Sequence, residues 1–401
     1  VDLDRIRSAF PALDLGVAHF DGPGGSQTPR PVADAVAAAL TAGLANRGSV
    51  TEAERRADAI VVDARAAMGD LLGADPRGIV FGRSMTQLTF DLARTLAAGW
   101  GPGDEVVVTR LDHDANIRPW VLAAERAGAT VRWLDFDPAT AELDDLEPLL
   151  TDRTRLVAFT AASNLFGTRP DVRRMTAAAH AAGALVHLDA VHLVPHVVVD
   201  LADLGVDLLG CSPYKFLGPH LGVLAARPEL LETLHPDKLL PSPEQVPERF
   251  ELGTLPYELL AGVTATVDFI AGLASTHPDR RAAVIESMTA VETHEDALLA
   301  RLLGGLGELP SVTVHGRPAH RTPTVLFSVA GHTPRAVAGH LAGLGVNAPA
   351  SHFYALEASH RAGLGDDGAV RAGLAPYSTA EDVDRLLDGV RRLSDKRAGQ
   401  L

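Results

Sequence analysis

Two hydrophobic rhythms alternate along much of the chain. Short runs rich in Val, Ile and Leu, bounded by Gly, Asp or Thr, read as buried strands at residues 78–82, 105–109, 130–134, 156–160, 185–188, 207–210 and 222–226. The stretches 52–72, 86–98, 116–127 and 171–182 carry the mixtures of apolar, small and charged residues that suit helices. Strands that alternate with helices predict an α/β fold with a mostly parallel, seven-stranded sheet covered on both faces. In such sheets the chemistry gathers in loops beyond the strand ends.

Residues 236–249 are rich in Pro, Glu and Asp and read as a long surface loop. Helices are predicted at 259–276 and 282–306, the second long enough to join two domains. A strand at 324–329, a helix at 334–344, a strand at 370–374 and a helix at 380–393 then read as a smaller α/β domain. The last helix has Ser378 or Thr379 as N-cap, with Glu381 and Asp382 in its first turn. The expected division is an N-terminal arm (1–20) packing on the small domain, a large domain (21–281) and a small C-terminal domain (282–401). Residues 1–13 mix Asp2, Asp4, Arg5 and Arg7 with apolar positions, a short amphipathic segment rather than a signal peptide.

Composition narrows the classes. Apolar residues make up 46% of 401 and charged residues 22%, as in an ordinary globular protein. No apolar run approaches the roughly 20 residues of a membrane span. A formal net charge of −15 argues against a nucleic-acid partner. The one cysteine, Cys211, excludes an intrachain disulfide and a multi-cysteine metal site, and fits a cytoplasmic location. Lysine occurs at Lys215, Lys238 and Lys396 alone, so lysine chemistry has three candidates.

Lys215 lies in Ser212-Pro213-Tyr214-Lys215-Phe216-Leu217-Gly218, an apolar turn after a buried strand. Burial lowers a lysine pKa and makes the amine nucleophilic, as a Schiff-base lysine requires; the alternative is a surface lysine covering the loop. Asp189 ends the strand 185–188 and could pair with a protonated pyridine nitrogen, or cap a helix. His187, Asp189, His192 and His196 could instead ligate a metal. The turn Gly82-Arg83-Ser84-Met85-Thr86 opens a helix and could bind an anion on free N–H groups. His113 could stack on a planar cofactor or move protons, unless the 112–116 cluster only caps a helix. Asn164 could bond a phenolic oxygen or shape a turn. Arg371, a charge in an apolar strand, could grip a carboxylate or face solvent.

Together these residues resemble the class V, fold-type I pyridoxal-phosphate (PLP) enzymes, the group of cysteine desulfurases and related aminotransferases. The resemblance runs from Phe20-Asp21 to the last helix and is most specific at 189–215 and in Arg249-Phe250-Glu251-Leu252-Gly253-Thr254. It implies Lys215 as the Schiff-base lysine, Asp189 beside the pyridine nitrogen and His113 stacked on the ring. It also implies Met85, Thr86 and Ser212 at the phosphate, and Asn164 beside the phenolic oxygen. His192 and Tyr214 would lie at the cofactor, and Arg371, Gly24 and Arg47 at the substrate. Thr254, after Gly253, would reach the partner's cofactor in a homodimer.

The departures bear on the reaction. Desulfurases carry a mobile cysteine on the loop before the Arg371 strand; here residues 347–358 read NAPASHFYALEA. A persulfide needs a thiolate there. His192 stands where desulfurases usually have Gln, and Tyr214 where they usually have His. The chain is thus similar to the subgroup called cysteine desulfurase-like. The expected course is an external aldimine formed from a small amino acid, then an α-carbanion, with C–S or β-lyase chemistry favoured slightly over aminotransfer or epimerisation. The rival of another class is a metal-dependent hydrolase using His187–His196; a non-catalytic regulator on the same fold comes last.

Overall fold

A computed structural model describes residues 1–398. Residues 399–401, the end of the expected small domain, lie outside the described residues, as does the side chain of Lys396. The large sheet has seven strands. Across it run Ile79–Gly82, Gly222–Ala226, Leu208–Cys211, Leu185–Asp189, Thr154–Thr160, Glu105–Thr109 and Thr130–Leu134. Only Gly222–Ala226 runs against its neighbours; the other pairings are parallel.

Strand periodicity explains why both faces are buried. Side chains alternate across a strand, so Val106 and Val108 enter one apolar cluster and Val107 the other. Leu208 and Leu209, or Val223 and Leu224, divide in the same way. The parallel arrangement brings Gly82, Thr109, Thr160, Asp189 and Cys211 to one edge, where the loops of interest begin.

Helix ends follow local chemistry. Glu52–Leu72 begins with a capping box between Thr51 and Glu54 and ends at Gly73, whose φ of 60° suits the left-handed cap. Thr379, the second of the two expected caps, accepts from the Asp382 N–H while Asp382 accepts back. The helix expected from residue 116 starts later, as Arg118–Ala127. A 3-10 turn over Asp114–Asn116 precedes it, because Asn116 is held by side-chain bonds. The helix expected to reach 276 is Tyr257–Ala271, closed by Gly272.

A four-stranded antiparallel sheet, Ala350–Ser351, Ala369–Gly373, Thr324–Val329 and Val312–His315, forms the C-terminal part. The helix Arg280–Gly307 runs between the two sheets' cores, contributing Val284 and Met288 to one cluster and Leu298, Leu302 and Leu306 to the other. At the N-terminus, Ile6 and Phe10 join the large-sheet cluster, while Ala18–His19 pairs in parallel with Val346–Asn347. Among the described residues no helix is long and apolar enough to cross a membrane.

One buried ion pair holds the sheet edge beside the site. Arg65 donates from Nη1 and Nη2 to Glu251 at 2.8 and 2.9 Å, and Glu251 also accepts the Phe81 N–H at 3.0 Å. Removing one charge strands the other in low dielectric. Glu251→Gln is expected to cost about 3 kcal/mol in denaturant unfolding; a loss under about 1 kcal/mol would mean that Glu248 and solvent replace the carboxylate.

Candidate active site

The loops at the strand ends enclose a cleft of about 860 Å³, lined by Thr86, His113, Asn164, His192, Tyr214, Lys215 and Arg371 among others. Gly24 lines it too; a Cβ there would lie 3.6 Å from Arg371 Nη2. Residues distant in sequence thus meet because their strands end at one edge.

Lys215 sits in a 3-10 turn, Pro213–Lys215, directly after the strand Leu208–Cys211. Its Nζ donates to the Pro23 carbonyl at 2.5 Å and lies 4.8 Å from the Tyr214 ring centre. Burial brings the amine down to about 7, with Arg371 adding to the effect and Asp189 opposing it. A large neutral fraction at physiological pH follows. The rate at which the amine condenses with an aromatic aldehyde is expected to rise with pH through about 7 and then level off, because the free base attacks the carbonyl carbon. Stopped-flow absorbance would record it; a midpoint near 10 would show that Lys215 behaves as a solvated lysine.

Asp189 is buried at the end of Leu185–Asp189 and accepts the Val191 N–H at 2.9 Å. Burial raises its carboxyl to about 6, against the pull of that N–H and of Lys215. Burial lowers His113 to about 4, helped by Lys215 and Arg371, and pushes His192 well below the ordinary range. His113 both caps and lines the cleft: Nδ1 accepts the Ala115 N–H at 3.0 Å, leaving Nε2 as the donor of the neutral ring.

Arg371 is buried, so the solvent-facing alternative fails. Its Nη1 donates to the Asn164 carbonyl at 2.9 Å, its Nε has no partner, and Phe353 lies 3.7 Å from Cζ. Burial lowers the guanidinium to about 9. Asn164 donates from Nδ2 to the Phe353 carbonyl at 2.9 Å and leaves Oδ1 buried and unpartnered.

Ser84 caps the helix Met85–Ala97 by accepting the Gln87 N–H, so Met85 and Thr86 open it with free backbone N–H groups. The Met85 side chain packs beneath Gly210, away from the cleft. Gly222 must be glycine, since a Cβ would fall 2.1 Å from the Ser84 carbonyl carbon. Ser212 is buried and does not line the cleft. Arg47 lies elsewhere, donating to Asp58 at 2.8 Å and Glu248 at 3.0 Å. Thr254 is exposed and borders a separate hollow with Arg83 and His220.

The histidines proposed as a metal set are dispersed. His187 Nδ1 lies 2.8 Å from Asn116 Oδ1, and His196 Nδ1 lies 2.8 Å from Glu295 Oε2. Among the described residues no group of three or more His, Cys, Asp or Glu is placed to hold a metal ion. The metal-hydrolase reading lacks the convergent ligands it requires.

The sequence pattern pointed to the loop 347–358 only through its missing cysteine. The structure turns that loop into the site. Phe353 and Tyr354 take left-handed φ of 50° and 58°, unusual for bulky side chains. The Tyr354 carbonyl accepts the Asp114 N–H at 2.7 Å, and its ring stacks on His113 at 5.6 Å. Phe90 and Arg118 also line the cleft and gave no signal, being ordinary helix residues in the sequence.

The sequence model of the aminotransferase class-V family matches residues 18–386. An uncharacterised protein of Mycobacterium tuberculosis is 34% identical over 397 residues, spanning 98% of this chain and 99% of that protein. Probable cysteine desulfurase 2 of Mycobacterium leprae is 33% identical over 426 residues, spanning 98% of this chain and 97% of that protein. The apo structure of a cysteine desulfurase from Thermococcus onnurineus is similar with a TM-score of 0.87 at 27% identity, covering 98% of each chain.

Proposed function

This chain belongs to the aminotransferase class-V family of PLP-dependent enzymes, related to cysteine desulfurases, and we propose that it cleaves a C–S or other β-bond of a small amino acid. The observation that carries the reading is Lys215, with its amine brought down to about 7, sharing one cleft with Arg371 and His113.

The residues present suit the cofactor. Asn164 Oδ1 is a buried acceptor in want of a donor, and Asp189 a buried carboxylate in want of a cation. Lys215 would hold PLP through Nζ, Asp189 and Asn164 would meet its ring atoms, and His113 its face. The first N–H groups of Met85–Ala97, with the Thr86 hydroxyl, would take the phosphate. When bound, PLP supplies an electron sink for charge developing at the substrate α-carbon.

The chain's own groups divide the remaining work. Arg371 offers two parallel N–H donors to the substrate carboxylate, and the Phe353 ring covers its face. Lys215 Nζ removes the α-proton. His113 Nε2, His192 and the Tyr214 hydroxyl are the groups that deliver a proton to the departing atom. A persulfide route has no thiolate: Cys211 is fully buried, and burial pushes its thiol well above the ordinary range. We also take the active form to be a homodimer in which Gly253 and Thr254 reach the other subunit's site, since Thr254 faces solvent in a single chain.

The test is a spectral titration of PLP-loaded protein against a panel of amino acids, with product identification. Release of pyruvate and sulfide from L-cysteine, undiminished in Cys211→Ala, is expected. A keto acid released without sulfide, one per cofactor, favours aminotransfer instead; loss of turnover in Cys211→Ala would restore the persulfide route.

A further inference from the structure

A second hollow adjoins the cleft at Lys215. Lys215, His192, His196, Pro23, Ser26 and Met288 are among the residues that line it. Its free space is about 20 Å³, enough for one ordered water. Lys215 and His192 border both this hollow and the cleft.

The polar groups around it are not explained by packing. His192 and His196 belong to a tight turn in which the Val194 N–H reaches the Ala190 carbonyl and the Val197 N–H reaches the Leu193 carbonyl. Four residues apart in such a turn, they share a face. His192 is buried and makes no hydrogen bond among the described residues. His196 pairs through Nδ1 with Glu295 Oε2 at 2.8 Å, and Glu295 is 1% exposed. Glu295 Oε1 is buried without a partner. A carboxylate this deep carries a desolvation penalty that a hydrophobe of the same volume would avoid. The other titratable groups acting on it are His294, tied to the Ser378 carbonyl, and Asp296, both on its own helix, and the buried Tyr377 phenol from the C-terminal part of the chain. Burial raises its carboxyl, opposed by His196, which suits it to take a proton.

We propose that one ordered water, His196 and Glu295 form a proton relay for the Lys215 amine, with His192 holding the water in place. The proposal rests on the reading of Lys215 as the group that moves the α-proton. The protonated amine gives its proton to the water, and the water gives one to His196 Nε2. His196 passes its Nδ1 proton to Glu295 Oε2. Only N–H and O–H bonds form and break, and the reverse flow returns the proton. Glu295 is a positioning residue in this scheme, since it touches Lys215 only through others.

Glu295→Gln keeps the shape and the hydrogen bond to His196 but cannot take the proton; His196→Gln is the second variant should the first unfold. In apoprotein, acylation of Lys215 is followed against pH by peptide mapping, made simple by the three lysines. Removing the negative charge is expected to lower the midpoint by about half a pH unit or more, which a structural role would not do. In PLP-loaded protein in deuterium oxide, exchange of the α-proton of L-alanine is expected to slow about tenfold with alanine binding unchanged. An unchanged midpoint in Glu295→Gln, or unchanged α-proton exchange in both variants, overturns the relay. Failure of the wild-type protein to exchange the L-alanine proton would sink the functional reading instead, while the midpoint would still decide the relay.

Discussion

Lys215→Ala is expected to abolish covalent capture of PLP and to slow amino-acid turnover by about a thousandfold or more. Of the other lysines, Lys238 bonds to the Ser242 carbonyl and pairs with Glu244 in the 236–249 loop and does not line the cleft. Neither it nor any other group lining the cleft offers a second amine. The substitution also removes both the nucleophile and the base, so the two losses compound. Folding should survive, because the ammonium form of Lys215 is disfavoured in place and its one hydrogen bond is to Pro23. Borohydride reduction followed by peptide mapping checks the result: an adduct at position 215 in the wild type, none in the variant. An adduct on Lys238 with full turnover would end the proposal.

Asp189→Asn is expected to lower kcat by about a hundredfold or more, with a smaller change in KM. The carboxylate is held in an apolar strand end with a single N–H from Val191, so its charge is poorly compensated without a cation opposite. A protonated ring nitrogen is such a cation, and an amide cannot hold its proton there. The same burial gives a second readout. A carboxyl raised to about 6 in the fold, against 3.8 when solvated, weighs against folding as pH climbs between those values, and the penalty stays constant above the higher one. Asp189→Asn apoprotein should therefore be more stable than wild type above about pH 6, and equal to it below about pH 4. A kcat within about threefold of wild type would show that the ring nitrogen needs no partner.

Most strands were legible because each is a short apolar run buried on both faces, while the sheet-edge strand Thr130–Leu134 is only partly buried and shows through its β-branched and aromatic residues. Glu105–Thr109, Thr130–Leu134 and Gly222–Ala226 carry the expected bounds. Helices with strong caps read nearly as well, Glu52–Leu72 among them. The misses were elements whose signal is weak by nature. Val312–His315 is a half-exposed edge strand of four residues, and Arg30–Leu40 is an alanine-rich helix with Pro31 near its start. Ala350–Ser351 is too short to show any period.

The chain's pattern alone determined the alternation of strands and helices, the apolar turn around Lys215, the acid at the end of the 185–188 strand and the want of a cysteine at 347–358. All of these are local, since spacing and residue type report whether a position is buried and whether a turn can form. What the tertiary structure decided is which side chains face one another. Asp189 and Lys215 feel one another's charge because the strands that lead to them are neighbours, and Phe353 covers Arg371 because a left-handed turn folds the loop inward. His187 and His196 part company because an alternating strand followed by a tight turn sends one ring to Asn116 and the other to Glu295. Solvent access and pairing depend on contacts between segments far apart in the chain, and no local period encodes them.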